Sequence, residues 1–166
     1  MSLEELGNRL IALTDVLGGF VRTSLEENYD GIMDLQRHQL FAGKRSDGSD
    51  IRPYYSEDLK ENGGYFKSAQ SALAYARMKA TSISYPISEP RQFDAPNLYI
   101  TGKFHDELGI EFDDREMVIW GATPYADKIV EKYGIETFGL SDDNWDKLMP
   151  NIKERVVEQL RQYING

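Results

Sequence analysis

Residues 108–121 read LGIEFDDREMVIWG, and this stretch decides the fold class. Ile110 and Phe112 alternate with polar or small neighbours. After the turn Asp113-Asp114-Arg115, Met117-Val118-Ile119-Trp120 is a β-rich run, in which Val118 and Trp120 are read as the partners of that stripe. Two half-buried antiparallel strands produce this pattern, because side chains alternate across a strand. Gly121 ends the second strand. Helix signals follow directly. Pro124 stands where a first helical residue is favoured, and the next helix carries Tyr125, Ile129, Val130 and Tyr133 before Gly134 closes it. Ser141 is the expected N-cap of a long last helix, with Asp142 and Asp143 at the positive end of its dipole. Trp145, Leu148, Met149, Ile152, Val156, Leu160 and Ile164 give that helix an apolar stripe. Pro150 is expected to kink or restart it. One hairpin among helices is an α+β arrangement: a small antiparallel sheet with helices packed on one face and a long C-terminal helix.

Upstream of the hairpin, Leu3, Leu6, Leu10, Leu13 and Leu17 recur at helical spacing. Ser2 and Glu5 resemble a capping box. Gly18-Gly19 should weaken or bend this helix, and Leu25, Tyr29, Ile32 and Leu35 extend a second helical piece to about Arg37. Gln39 to Arg52 reads as a short hairpin or extended turn around Asp47-Gly48. Ser56 could cap a short turn starting at Glu57. After the break at Asn62-Gly63-Gly64, a helix is expected with Phe66, Ala69, Leu73, Ala76 and Ala80 on its apolar side. Residues 81–97 carry Pro86, Pro90 and Pro96, and read as a protruding loop or arm.

The chain has 166 residues, 40% of them hydrophobic, and is expected to form a single domain over 1–166. It has no cysteine, which excludes a disulfide framework, a thiolate zinc site and a catalytic cysteine. No run approaches the roughly 18 to 20 apolar residues of a membrane span. Met1 to Arg9 is acidic and amphipathic, unlike a secretory or transit peptide. The net charge of −9 opposes direct nucleic-acid and anionic-membrane binding. That charge is uneven: residues 102–116 hold six acids and two bases, whereas the middle of the chain is nearly neutral. Such contrast can steer a chain against copies of itself.

The catalytic inventory is thin. His105, Asp106 and Glu111 are the one candidate for a metal or acid–base site. They lack recognised ligand spacing, and neighbours on a strand face opposite ways. No metal and no cofactor is therefore expected. Lys44 to Asp50, KRSDGSD, lacks the pattern of a phosphate or calcium loop and reads as a turn. Tyr54, Tyr55, Tyr65 and Phe66 lie among Arg52, Lys60 and Lys67. Aromatics mixed with bases suit an interface, a core, or a stacking surface for single-stranded nucleic acid.

Leu98-Tyr99-Ile100-Thr101-Gly102-Lys103-Phe104-His105, then the hairpin, Tyr125-Ala126, Gly134, Phe138-Gly139-Leu140-Ser141 and a terminal helix, stand in a distinctive order. This order resembles the tail-completion or virion-morphogenesis proteins of tailed phages. Gln39-Leu40, Asp47-Gly48, Ile51 and Pro53-Tyr54-Tyr55 extend the resemblance over roughly residues 36–164. Two places depart from it. Glu131-Lys132-Tyr133 replaces the family's histidine and glutamine beside Gly134. Gly134-Ile135-Glu136-Thr137-Phe138 replaces its arginine-rich element.

The resemblance implies a non-enzymatic subunit of a ring at the head–tail junction or tail end. Its partners would be copies of itself and other neck or tail proteins. Its location would be the virion, and the bacterial host cytoplasm during assembly. Interface candidates are Tyr54, Tyr55, Tyr65, Phe66, Thr101, Gly102, Tyr125 and Phe138. The alternatives are an acidic adaptor or inhibitor that binds a basic protein through 102–116, including Asp113 and Asp114, and a small metal- or ligand-binding enzyme domain.

Overall fold

The computed structural model describes residues 3–87, 89–113 and 116–165, with side chains from residue 12 onward. Ser2, Ser88, Asp114 and Arg115 lie outside the described residues, and so does the capping box expected at Ser2. The chain is α+β. Its helices are α1 (Leu3–Glu27), α2 (Tyr29–Phe41), α3 (Ala69–Ser82), the single turn α4 (Lys103–Asp106), α5 (Ala126–Tyr133) and α6 (Asp142–Asn165). Strands β1 (Leu108–Phe112) and β2 (Met117–Gly121) form one antiparallel hairpin. No described helix is long and apolar enough to cross a membrane.

The register corrects one expectation. Ile110 pairs with Ile119, and Phe112 with Met117. Cross-strand partners share a face, so Leu108, Ile110, Phe112, Met117 and Ile119 turn to the core. Val118 and Trp120 are on the outer face instead, 44% and 40% exposed. The physical reason is visible at Gly109, opposite Trp120. A Cβ there would lie 3.0 Å from the indole, so the bare glycine gives the ring its resting place.

Helices α2 and α6 cover the inner face. Ile32 from α2, Ile119 from β2, and Leu148 and Ile152 from α6 form one buried cluster with Leu140. Met33, Leu40, Ile51, Phe104 and Leu108 form a second, and Ile110 and Phe138 pack against both. Two buried glutamines lock the chain that leads into α6. Gln36 donates to the Thr137 carbonyl at 3.0 Å and accepts from the Gly139 amide at 3.0 Å. Gln39 donates to the Gly139 carbonyl and accepts from the Ser141 amide, both at 2.8 Å. These bonds replace the ladder that a third strand would have provided.

Helix α1 runs unbroken through Gly18-Gly19, where both positions are exposed. It ends at Glu27, where the Asn28 side chain donates to the Ser24 carbonyl at 2.7 Å, competing with the helical ladder. Helix α1 packs antiparallel on α6. Phe20 meets Tyr163 edge-on at 6.1 Å, Gln159 donates to Ser24 at 3.1 Å, and Arg155 pairs with Glu27. Helix α6 continues through Pro150 without restarting. That ring sits on the exposed side, where water can take up the carbonyl left without an amide.

Two further expectations change. Helix α3 starts at the Ser68 cap, two residues after Phe66, and its buried face is Ala72, Ala76 and Lys79 rather than Ala69, Leu73 and Ala80. Ser56 caps nothing; its hydroxyl donates to Asp94. Described residues 83–97 contain no helix or strand, but they do not protrude throughout. Asp94, Ala95, Pro96 and Asn97 are buried, and the Asp94 carbonyl accepts from the Tyr55 amide at 3.0 Å.

Candidate functional site

The KRSDGSD segment is an internally satisfied turn. Lys44 and Asp50 pair as an isolated antiparallel bridge, with Nζ 2.7 Å from Oδ1. Asp47 accepts from the Ser49 amide at 2.9 Å. Asp50 also accepts from the Tyr54 hydroxyl, and Lys44 and Tyr54 together hold its carboxyl below the usual range. Tyr54 is capped on its ring by the Arg52 guanidinium at 4.2 Å. Most of these charges pair within the loop, and Arg45 also reaches Glu136 at 3.9 Å.

The His105, Asp106 and Glu111 candidate does not assemble. His105 is on the α4 turn rather than a strand, and it is buried against Phe41 at 4.6 Å and Tyr99 at 5.3 Å. Asp106 and Glu111 are exposed. The His105 Nε2–H donates to the Asn97 carbonyl at 2.9 Å, which leaves Nδ1 as the unprotonated nitrogen, buried and without a partner among the described residues. Burial pushes the imidazole down to about 4. Among the described residues, no group of three or more histidines or carboxylates is placed to hold a metal ion.

The eight interface candidates divide by burial. Tyr55 and Phe66 belong to a buried aromatic cluster with Ala72 and Ala76, and Gly102 is also buried. Phe138 and Tyr54 are half-buried. Thr101 and Tyr125 are exposed, and Tyr65 is 73% exposed, resting edge-on against Phe66 at 5.2 Å. Gly102 has φ +89 at the start of α4, where a Cβ would stand 3.2 Å from the Tyr99 hydroxyl. The glycine therefore allows the tight entry into a helical turn, rather than directly into the strand.

Tyr55, Thr101, Gly102 and Tyr125 share one feature: they line a cavity of about 360 Å³ between α3, α5 and residues 96–104. Its most unusual wall residue is Lys79, only 2% exposed. The Lys79 ammonium donates to the Tyr55 hydroxyl at 2.8 Å and to Asn97 Oδ1 at 2.7 Å. No described carboxylate pairs with it. Burial, followed by the Arg91 guanidinium, pushes it down to about 7. Burial also raises the Tyr55 phenol, and takes Tyr133 up to about 12.

Asn97 is the hub of this site. Its side chain holds Lys79, and its carbonyl holds His105. The next residue, Leu98, adopts φ +53, a left-handed conformation that costs a branched side chain energy. Lys132 of α5 ties the far wall to the buried Asp58 at 2.6 Å. Sequence reading missed both Lys79 and Asn97. The available signal for Lys79 was its spacing of three from Ala76 and seven from Ala72, which places it on the face those alanines bury. Asn97 had none, since its role depends on partners far away in the chain.

Comparison with protein-family models, with curated proteins and with solved structures finds no match to this chain.

Proposed function

We propose that this protein is a structural subunit of a tailed-phage virion, assembled as a ring at the head–tail junction or tail end. The observation that carries this reading is the hairpin. It has only two strands among the described residues, so each strand has an edge with no further pairing partner. Its outer face presents Val118 and Trp120 to solvent. An open strand edge beside an exposed apolar face is suited to strand addition or face packing by a neighbour. A neighbour docked head-to-tail generates a ring when the rotation closes.

The motif order that resembles tail-completion proteins also supports the reading. Thr101-Gly102 opens α4, the hairpin follows, Tyr125-Ala126 opens α5, and Phe138-Gly139-Leu140-Ser141 leads into α6. Phe138 and Leu140 pack in the same core as the hairpin.

The test is native mass spectrometry and mass photometry over a wide concentration range, paired with proteomics of virions from the encoding phage or prophage. A closed oligomer, dispersed by Trp120→Glu with unchanged circular dichroism, is the expected result. A strict monomer that is also missing from virions overturns the proposal.

A further inference from the structure

We infer that the cavity between α3, α5 and residues 96–104 binds a small carboxylate with an apolar body, anchored by Lys79. The inference is independent of ring formation, because the cavity is formed within one chain.

Charge comes first. The chain carries 28 acidic and 19 basic residues, yet among the described residues no acidic side chain lines this cavity. Lys79 and Lys103 do line it, and Arg91 adds its field to Lys79. A hollow whose lining carries ammonium groups and no described carboxylate, in an acidic protein, favours an anion beside the unpaired Lys79. Geometry comes second. An ammonium has three N–H donors, and Lys79 uses two of them on neutral oxygens of Tyr55 and Asn97. The third has no acceptor among the described residues. A buried cation with neutral partners alone is costly, and an incoming carboxylate supplies both the missing acceptor and the missing charge.

Leu98, Ile100, Phe104 and Ile129 give the cavity an apolar wall, and about 360 Å³ lies at the small end of the usual range for ligand sites. The occupant is therefore compact: one ring or a short branched chain bearing the acid. The left-handed Leu98 fits this role, since local strain is kept where it positions working groups, here Asn97 against Lys79.

The site should respond to pH through one group. Tyr55, Tyr75 and Tyr133 line the cavity with Lys79 and are all raised, so they stay neutral. His105 is held near 4 and is neutral above about pH 6. Lys103 stands at the wall with Glu107 3.6 Å away. Lys79, near 7, is the group that changes charge around neutrality. Binding a carboxylate needs its ammonium form, so binding takes up a proton, and affinity falls as pH rises through about 7.

The experiment is isothermal titration of the full chain with phenylpropanoate, phenylpropanamide and phenylpropylamine at about pH 6 and about pH 9. The carboxylate should bind at least about tenfold more tightly than the amide at the lower pH, and the amine should not bind. That preference should shrink at the higher pH, and near neutrality the heat should depend on the buffer's ionisation enthalpy. Lys79→Met, checked for folding by circular dichroism, should lose the preference for the acid. The comparison of ligands on the unaltered chain stands even if that variant does not fold. Equal binding of acid and amide, no binding of the acid at millimolar concentration, or an affinity unchanged by pH overturns the inference.

Discussion

The hairpin core and the Lys79 hub are both buried, but they are held together in opposite ways. Around the hairpin, Ile32, Ile119, Leu148 and Ile152 meet as aliphatic groups, with two glutamines satisfying the adjoining backbone. Around Lys79 the packing is aromatic, with Tyr55, Phe66 and Tyr75 in edge-on or tilted contacts of 5.2 to 6.0 Å. At its edge sit an ammonium and an imidazole, bridged by Asn97. Apolar burial stabilises the first region directly. The second spends part of its packing energy on keeping two bases dry. A fold optimised for stability alone would put a hydrophobic residue at position 79. The difference marks the hairpin core as scaffold and the hub as a place set up for contact with something else.

The contrast can be broken by substitution. Ile32→Ala, in the middle of the scaffold, should lower unfolding free energy by about 4 kcal/mol in urea titrations, from lost transfer energy plus the cavity left behind. A loss below about 1 kcal/mol would mean that the aliphatic cluster is not the scaffold.

Acid should act on the hub next. His105 titrates near 6.5 when unfolded and near 4 when folded. Below the higher value the unfolded chain binds the extra proton, so stability falls as pH drops from about 6.5 to about 4. The loss is on the order of 3 kcal/mol, and His105→Gln should remove that limb of the stability profile. An unchanged profile in the variant would place the acid sensitivity elsewhere.

Lys79→Met should move stability in the opposite direction from Ile32→Ala. Below pH 7 it should stabilise the fold by about 1 to 3 kcal/mol, since a dry ammonium is exchanged for an apolar chain of similar length. The gain should shrink from about pH 7 towards pH 10, where the native lysine is already neutral while the unfolded one is not. A destabilised variant at every pH would show that its two hydrogen bonds outweigh the buried charge. On the outer hairpin face, Val118→Ser should change stability by no more than about 0.5 kcal/mol, because that side chain is exposed. Its expected effect is on oligomer size.

Much of the scaffold was legible in the sequence. Alternation marked both strands, Gly121 marked the end of β2, and Gly134 the end of α5. The α6 stripe named Leu148 and Ile152 correctly as buried. The inward face of β2 was misread, because alternation gives a period and not a phase. Val118/Trp120 and Met117/Ile119 are equally good stripes until the pairing with β1 chooses between them. Helix α3 departs from its sequence pattern for a related reason: its buried face is Ala72, Ala76 and Lys79, and a lysine on that face hides the stripe.

The sequence by itself determined the α+β class, the hairpin, the order of the helices and the exclusion of cysteine chemistry. These follow from local periodicity, capping and composition, which act over a few residues. Only the tertiary structure decided which strand face is buried and that residues 94–97 pack into the body. It alone also joined Lys79, Tyr55, Asn97 and His105 in one hub. Those outcomes depend on contacts between residues 18 or more positions apart for Lys79 with Asn97 and 24 for Lys79 with Tyr55. No local pattern encodes such a contact, because its energy exists only once the chain has brought both partners out of water.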